Sequence, residues 1–373
     1  MMLRWSYLPA ASPAATKNGL TDEPGSKISV AARLRYVAGS IVVLDVTTGE
    51  VLAMVNQPTY NPNDREQMQA ADYRNRAATD IFEPGSSIKP FWVAAAIAAG
   101  KYNSRSIIDT SPGFIQVSRG MKPIEDEHNL GAIDIATILA KSSNVGMAHI
   151  ALTLAPQQVW TTLTQLGFGE VSTSGYPGES AGLLPPYSQW RPIGTVTMSH
   201  GYGLSVTPLQ LAHAYATIGS LGIARPVSFL AADGSTDGTR VLESPACREL
   251  LGMLEKVVTA EGTGKLAAIP GYRVSGKTGT AWKAIAGGYA TDRYMAVFGG
   301  VAPATDPRLA AVVVIDEPSA GEHQGGQVSA PVFARVVGGA LRLLAVAPDQ
   351  SVRAPEELPA DAAPDTLRTA ALR

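Results

Sequence analysis

The feature that most constrains the fold is where the strand-like runs lie: at both ends of the sequence, with helical segments between. Gly39–Val46 is β-branched and apolar, Thr47-Thr48-Gly49-Glu50 is turn material, and Val51–Val55 follows, which predicts a hairpin. Three further strand segments, Tyr272–Trp282, Arg293–Val301 and Leu309–Ile315, come late in the chain. Between them the spacing predicts helices over Phe91–Ala99, Gly131–Ala140, Val145–Leu154, Pro156–Leu166, Thr207–Ile218 and Pro245–Thr259, with a last one over Val328–Leu344. Thr207 followed by Pro208 is a good helix start, a threonine N-cap with proline at the first helical position. An early hairpin, a central helical block and late strands imply that the first and last strands share one sheet. The expected fold class is therefore α/β (mixed α+β): an antiparallel sheet flanked by helices, with an inserted helical lobe and a site in the cleft between lobe and sheet.

The 373 residues allow one large domain or two moderate ones. A formal net charge of −2 supplies no global basic field to gather phosphates, which argues against nucleic acid as a partner. The lone Cys247 cannot form an intrachain disulfide and reads as a small buried hydrophobe. No transmembrane segment and no signal peptide is read in the sequence as it stands. Residues 1–36 show no clear period and read as a poorly ordered lead-in. From 346 to 373 the chain is Ala, Pro, Asp and Glu with little to bury, so a disordered tail is expected. The domain is expected to span 37–345.

The chemistry centres on Phe82-Glu83-Pro84-Gly85-Ser86-Ser87-Ile88-Lys89-Pro90. Pro84-Gly85 is a turn, and on the helix that follows, Ser86 and Lys89 share a face. A serine hydroxyl needs a neighbouring base, and a lysine in an apolar site can lose its charge and become one. The plain alternative is a serine cap and a solvated lysine.

Two larger constellations compete. Gly271-Tyr-Arg-Val-Ser-Gly276-Lys277-Thr278 matches a phosphate-loop pattern, and Leu309–Ile315 ends in Asp316-Glu317. That reading needs a strand before the first glycine and a helix at the lysine. The sequence offers Pro270 before it and Gly279, Gly287 and Gly288 after it, so the fit is poor. The rival is Ser86-x-x-Lys89, Ser142-x-Asn144 and Lys277-Thr278-Gly279, three short motifs in the order shared by penicillin-binding proteins and class A β-lactamases.

On these motifs the sequence resembles the transpeptidase domain of class B penicillin-binding proteins, most closely their division-specific septal group, the penicillin-binding protein 3 type. The resemblance runs from about Gly39 to about Leu344. It includes Asn56-Gln-Pro-Thr-Tyr-Asn-Pro62, Lys141-Ser-Ser-Asn-Val-Gly146, Gly201–Leu211, Gly276-Lys-Thr-Gly-Thr280 and Ala330-Pro-Val-Phe333.

The resemblance implies the serine β-lactamase/transpeptidase-like fold. It implies a D,D-transpeptidase that cross-links peptidoglycan stem peptides at D-Ala-D-Ala through an acyl-enzyme and is blocked by β-lactam antibiotics. Ser86 would be the nucleophile and Lys89 its base, with its pKa depressed by burial and by the charge of Lys277. Ser142 would bridge the two lysines and pass a proton to the leaving amine, while Asn144 would hold a donor side-chain amide. Thr278 and Thr280 would bind the terminal carboxylate, Gly279 would let the substrate backbone lie close, and the N–H groups of Ser86 and Thr280 would form the oxyanion hole. No metal or organic cofactor is expected, and His128, His149, His200, His213 and His323 read as structural or surface residues. Trp282 is expected to flank the cleft. Expected partners are stem peptides, β-lactams and division-complex membrane proteins, at the periplasmic face of the bacterial inner membrane. Two features depart from the family. Neither the N-terminal membrane helix nor the pedestal expected from the resemblance is read in the sequence as it stands, and His323-Gln-Gly-Gly326 stands where the family often has a tyrosine before the glycines. A β-lactamase or penicillin sensor of the same fold, or a truncated non-catalytic copy, are the alternative readings.

Overall fold

Five strands carry the molecule: β1 (Ala38–Asp45), β2 (Val51–Gln57), β3 (Ser275–Ile285), β4 (Gly288–Ala302) and β5 (Leu309–Asp316). They form one sheet in the order β2-β1-β5-β4-β3, antiparallel at every pairing. Thus the two ends of the sequence meet, with β5 paired to β1 at Val42↔Val312. The computed structural model describes residues 36–350 apart from 62 and 64–69.

β5 is a nearly unbroken apolar run because both its faces are covered. Ala310, Val312 and Val314 point into a core beneath the helical lobe. Leu309, Ala311, Val313 and Ile315 point into a second core on the opposite face. Helix α1 (Lys89–Ala98) has every residue from Lys89 to Ala96 buried, which forces it to the centre of the lobe. Around it and after it run α2 (Ile135–Lys141), α3 (Asn144–Thr153), α4 (Pro156–Gln165), α5 (Pro192–Ser199), α6 (Pro208–Gly219) and α7 (Ser244–Glu255). α6 begins with a reciprocal capping box between Thr207 and Gln210 and lies across the sheet. α8 (Ala330–Leu343) closes the far side, where Phe333, Val337 and Leu341 are buried and Phe333 meets Phe298 edge-on at 4.8 Å.

Several expected boundaries move. The segment read as a helix from Gly131 opens instead as a strand, Ala132–Asp134, paired with Ile107–Asp109. The helix starts at Ile135 because Asp134 Oδ1 accepts the amide of Thr137 at 2.7 Å. α5 had no counterpart in the expectations. Its Thr, Val and Gly content is poor for a helix, and burial of Val196 and Met198 overrides that propensity. The last helix is split at Ser329, whose hydroxyl leaves the helix to donate to Ala296 O at 2.9 Å.

The ordered chain also passes the expected boundary at 345. Tyr272 Oη donates to Val346 O at 2.7 Å, Arg273 N to Asp349 Oδ1 at 2.7 Å, and Gln350 N to Gly271 O at 3.1 Å. The remainder of the expected tail (351–373) and the expected lead-in up to residue 35 lie outside the described residues. Among the described residues no helix is long and apolar enough to cross a membrane. The phosphate-loop reading fails on backbone geometry: Ser275–Thr278 are part of strand β3, with no helix at Lys277.

Candidate active site

β3 is an edge strand, and its free side faces the lobe. A single 3-10 turn, Gly85–Ile88, presses against it and leads into α1. Two glycines allow this approach. Gly85 has φ +52°, and a side chain there would come within 2.9 Å of Thr280 O. A side chain on Gly279 would stand 2.7 Å from Pro84 O. The lack of a side chain at Gly279 therefore makes room for the Ser86 turn, not for a ligand as the sequence reading had it. Ser87 is fully buried and its hydroxyl is spent on Pro84 O at 2.7 Å. Ser86 lines a cleft of about 360 Å³, and its Oγ bonds to none of the described residues.

The middle motif sits at the break between α2 and α3. Ser142 ends α2 in the left-handed region, φ 59° and ψ 36°, a conformation glycine takes more easily. Ser143 caps α3 by accepting the Gly146 amide at 2.9 Å. The same helix start is held by Asp126, which accepts from Ser143 Oγ and from the amides of Asn144 and Val145. Asp126 is a site residue the sequence reading passed over. It comes from an irregular stretch and reaches a helix start that is remote in sequence, so no local pattern marks it.

Lys89 and Lys277 are both completely buried. Lys89 Nζ donates to Ser142 O at 2.6 Å, Asn144 Oδ1 at 2.8 Å, and Ser143 O and Ser142 Oγ at 3.3 Å. Ser86 Oγ is not among its partners. Lys277 Nζ curls back to Thr278 O at 3.0 Å and Thr278 Oγ1 at 3.2 Å, and donates to Ser142 Oγ at 3.1 Å. Ser142 thus lies between the two lysines.

Burial lowers the pKa of Lys89 to about 7, with the charge of Asp126 opposing the fall. Burial also pushes Lys277 well below the lysine range, and the charge on Lys89 adds to that push. Burial thus lowers both lysines, and Asp126 opposes the fall on the Lys89 side. His200, read as merely structural, is packed against this group. Burial and then the Lys89 charge hold it down at about 3, so it stays neutral. Its Nε2 meets Asn144 O at 3.0 Å, and a carbonyl partner requires that Nε2 carry the proton.

The third motif completes the wall. Thr278 and Thr280 line the cleft with Ser86, Ser142 and Asn144. Thr278 Oγ1 shares a proton with Thr263 Oγ1 at 2.8 Å, and Thr280 Oγ1 accepts the Gly325 amide at 3.0 Å. His323 stacks on Tyr294 at 4.1 Å, and its neighbours Gln324 and Gly326 reach the cleft. Trp282 is half exposed beyond Thr280, with Tyr202 at 6.5 Å. Seven of the eight residues singled out from the sequence thus converge on the cleft or on the lysine pair beneath it, and Gly279 lies behind the turn.

A serine-bearing turn at a sheet edge, facing a break between two helices, defines the serine transpeptidase class of fold. The family described as "Penicillin binding protein transpeptidase domain" matches residues 39–338, and the chain belongs to it, within the class B penicillin-binding proteins. The particular likenesses are to the peptidoglycan D,D-transpeptidase FtsI of Escherichia coli (strain K12), 44% identical over 312 residues, and to the probable peptidoglycan D,D-transpeptidase PenA of Neisseria meningitidis, 41% identical over 317 residues. These alignments cover 84% and 85% of this chain and 52% and 54% of the relatives, so the chain spans about half their length. The apo transpeptidase domain of Burkholderia pseudomallei penicillin-binding protein 3 superposes with a TM-score of 0.77 at 42% identity, covering 85% of this chain and 91% of that one.

Proposed function

We propose that this domain, spanning about 37–345 with a short ordered extension, is a serine D,D-transpeptidase. It would join peptidoglycan stem peptides ending in D-Ala-D-Ala and be inhibited by covalent attachment of β-lactams. The observation that carries the proposal is the position of Ser142 Oγ, within reach of both Lys89 and Lys277, on the cleft that Ser86 also lines. In this reading Lys89 turns from the carbonyls of Ser142 and Ser143 to take the Ser86 proton as Oγ attacks the carbonyl carbon. A neutral amine with a pKa of about 7 is matched to that task near neutral pH. The oxyanion rests on the N–H groups of Ser86 and Thr280, each such donor contributing on the order of 3 kcal/mol. Ser142 hands a proton to the leaving D-Ala nitrogen as the C–N bond breaks, and an amine from a second peptide then releases the acyl group. Thr278 and Thr280, with Lys277 behind them, bind the terminal carboxylate, and Asn144 orients the donor peptide. No metal or organic cofactor has a part in these steps.

The septal role, the division-complex membrane partners and a site of action at the periplasmic face of the inner membrane belong to the same proposal, supported by the likeness to FtsI. The test is labelled penicillin on the purified chain, followed by peptide mapping. The label is expected on Ser86 and absent in Ser86→Ala; label on Ser87, or none on folded protein, rejects the proposal.

A further inference from the structure

His200 ends α5, and its ring is only 7% exposed, although no step of the proposed mechanism uses it. Burying an imidazole is costly unless its N–H is matched, and one carbonyl matches it here: Nε2 donates to Asn144 O at 3.0 Å. Asn144 opens α3, the helix against which α5 packs. The bond therefore ties the end of one helix to the start of the other, at the break that carries Ser142.

The residues that follow hold the other half of the site. Gly201 O accepts the amide of Gly85 at 3.2 Å, and the Gly203 amide donates to Glu83 Oε1 at 2.7 Å. Glu83 and Gly85 lead directly into Ser86. Gly201 has φ +88°, and a side chain there would come within 2.1 Å of Gly85 O, so the two backbones are in close contact. Residues 200–203 thus form a strut. The side chain of His200 grips the Ser142 break, and the backbone of Gly201 and Gly203 grips the Ser86 turn. His200 itself is not among the residues that line the cleft.

The same break supplies the resting partners of Lys89: Ser142 O, Ser143 O and Asn144 Oδ1. Asn144 is held on three sides, since Asp126 accepts its amide, His200 donates to its carbonyl and Lys89 donates to its Oδ1. A shift of Asn144 moves the Lys89 acceptors and Ser142 Oγ together, relative to Ser86. Misplacement of reacting groups by about an ångström can cost about a hundredfold in rate. We propose that His200 is a positioning residue, whose bond to Asn144 O fixes the Ser142 break and the Lys89 acceptors at working distance from the Ser86 turn. The proposal rests on the transpeptidase reading above and adds to it a residue that touches neither the substrate nor the reacting atoms. A neutral imidazole suits the task. The ionisable groups at this break are Asp126, Lys89 and Lys277, and the ring supplies a donor without a further positive charge. Burial, and after it the Lys89 charge, keeps it neutral.

The experiment separates placement from packing. Labelled penicillin is reacted with the purified chain over a range of concentration and pH. This gives the acylation rate at saturation, the half-saturating concentration and the pH midpoint. His200→Phe keeps a buried ring and removes the donor, whereas His200→Gln puts an amide N–H where Nε2 stood. In His200→Phe the saturating rate is expected to fall about five- to tenfold, the size of one lost hydrogen bond. Half-saturation is expected to stay within about twofold, because His200 does not line the cleft. The midpoint is expected to move to lower pH, because the acceptors that hold the Lys89 ammonium are less firmly placed. His200→Gln is expected to recover most of the rate and the midpoint. If His200→Phe is poorly folded, as judged by thermal unfolding, His200→Leu takes its place with the same expectations. An unchanged saturating rate, an unmoved midpoint, an equal loss in His200→Gln, or a loss confined to half-saturation overturns the assignment. Failure of the unmodified chain to be labelled at all rejects the transpeptidase reading itself and the assignment with it.

Discussion

Lys89 and Lys277 share one hydroxyl: Ser142 Oγ lies 3.3 Å from one amine and 3.1 Å from the other, and both lysines are completely buried. Two ammonium groups cannot both be kept cheaply in so dry a place. Asp126 and the acceptors at 142–144 favour the proton on Lys89, while burial and the Lys89 charge push Lys277 well below the lysine range. One hydroxyl, Ser142 Oγ, lies between the two amines.

The first prediction concerns pH. In the proposed mechanism the active form of Lys89 is the neutral one, so penicillin acylation should rise with pH through about 7 and then level off. Asp126→Asn removes a negative charge that favours the protonated amine, so the midpoint should move to lower pH. The substitution also weakens the start of α3, at a cost of about 1 kcal/mol. A pH–rate profile of acylation for both proteins checks the direction; a midpoint that stays put or rises counts against Asp126 as the opposing charge.

Ser142 supplies the second prediction. Its left-handed conformation costs a non-glycine residue about 1 kcal/mol, which Ser142→Gly relieves while losing the hydroxyl's two bonds to lysine. The two effects oppose each other, so the melting temperature should move by only about 3 °C. Acylation should nevertheless drop roughly a hundredfold, because the proton relay is gone. Calorimetry paired with penicillin labelling separates the outcomes: a large loss of stability with acylation retained would mean that Ser142 is only a helix stop.

Gly279 gives a third. A methyl group at this position meets Pro84 O at 2.7 Å and Ser87 at 3.2 Å, both parts of the Ser86 turn. Gly279→Ala should therefore displace that turn, lowering stability by about 1–3 kcal/mol. Acylation should slow even though no polar group has been removed. Denaturant unfolding and labelling rates test this together.

The arrangement of the chain was legible where one local rule decided the matter. The hairpin of β1 and β2, the start of α6 at Thr207-Pro208 and the apolar run of β5 follow from turn, capping and burial patterns. The ordered motifs at Ser86, Ser142 and Lys277 named most of the site. What escaped was set by tertiary contact. α5 forms against local propensity because Val196 and Met198 are buried, and Gly279 faces the lobe because β3 lies at the edge of the sheet. Asp126 and His200 reach the site from segments with no motif of their own.

The last prediction separates a transpeptidase from a β-lactamase of the same fold. Both form an acyl-enzyme on serine, and only the latter clears it rapidly by activating water. Class A β-lactamases use a dedicated glutamate, between the second and third motifs, for that step. The candidates here are Glu170, Glu179, Glu243, Glu249, Glu255 and Glu261. None lines the cleft. Glu179 is occupied by Ser172 N and Ser174 Oγ, Glu249 by Ser104 N, and Glu255 by Arg273. The carboxylates that do line the cleft are Asp126, whose oxygens hold the start of α3, and the exposed Glu127. With no uncommitted buried carboxylate lining the cleft among the described residues, hydrolysis has no general base, and roughly a hundredfold or more in deacylation rate is forgone. The penicilloyl adduct on Ser86 is therefore expected to persist for many minutes, as followed by intact-protein mass spectrometry after free drug is removed. Steady hydrolysis of a chromogenic cephalosporin, abolished in Ser86→Ala, would decide for a β-lactamase. Loss of that hydrolysis in Glu127→Gln would then identify Glu127 as the water-activating group.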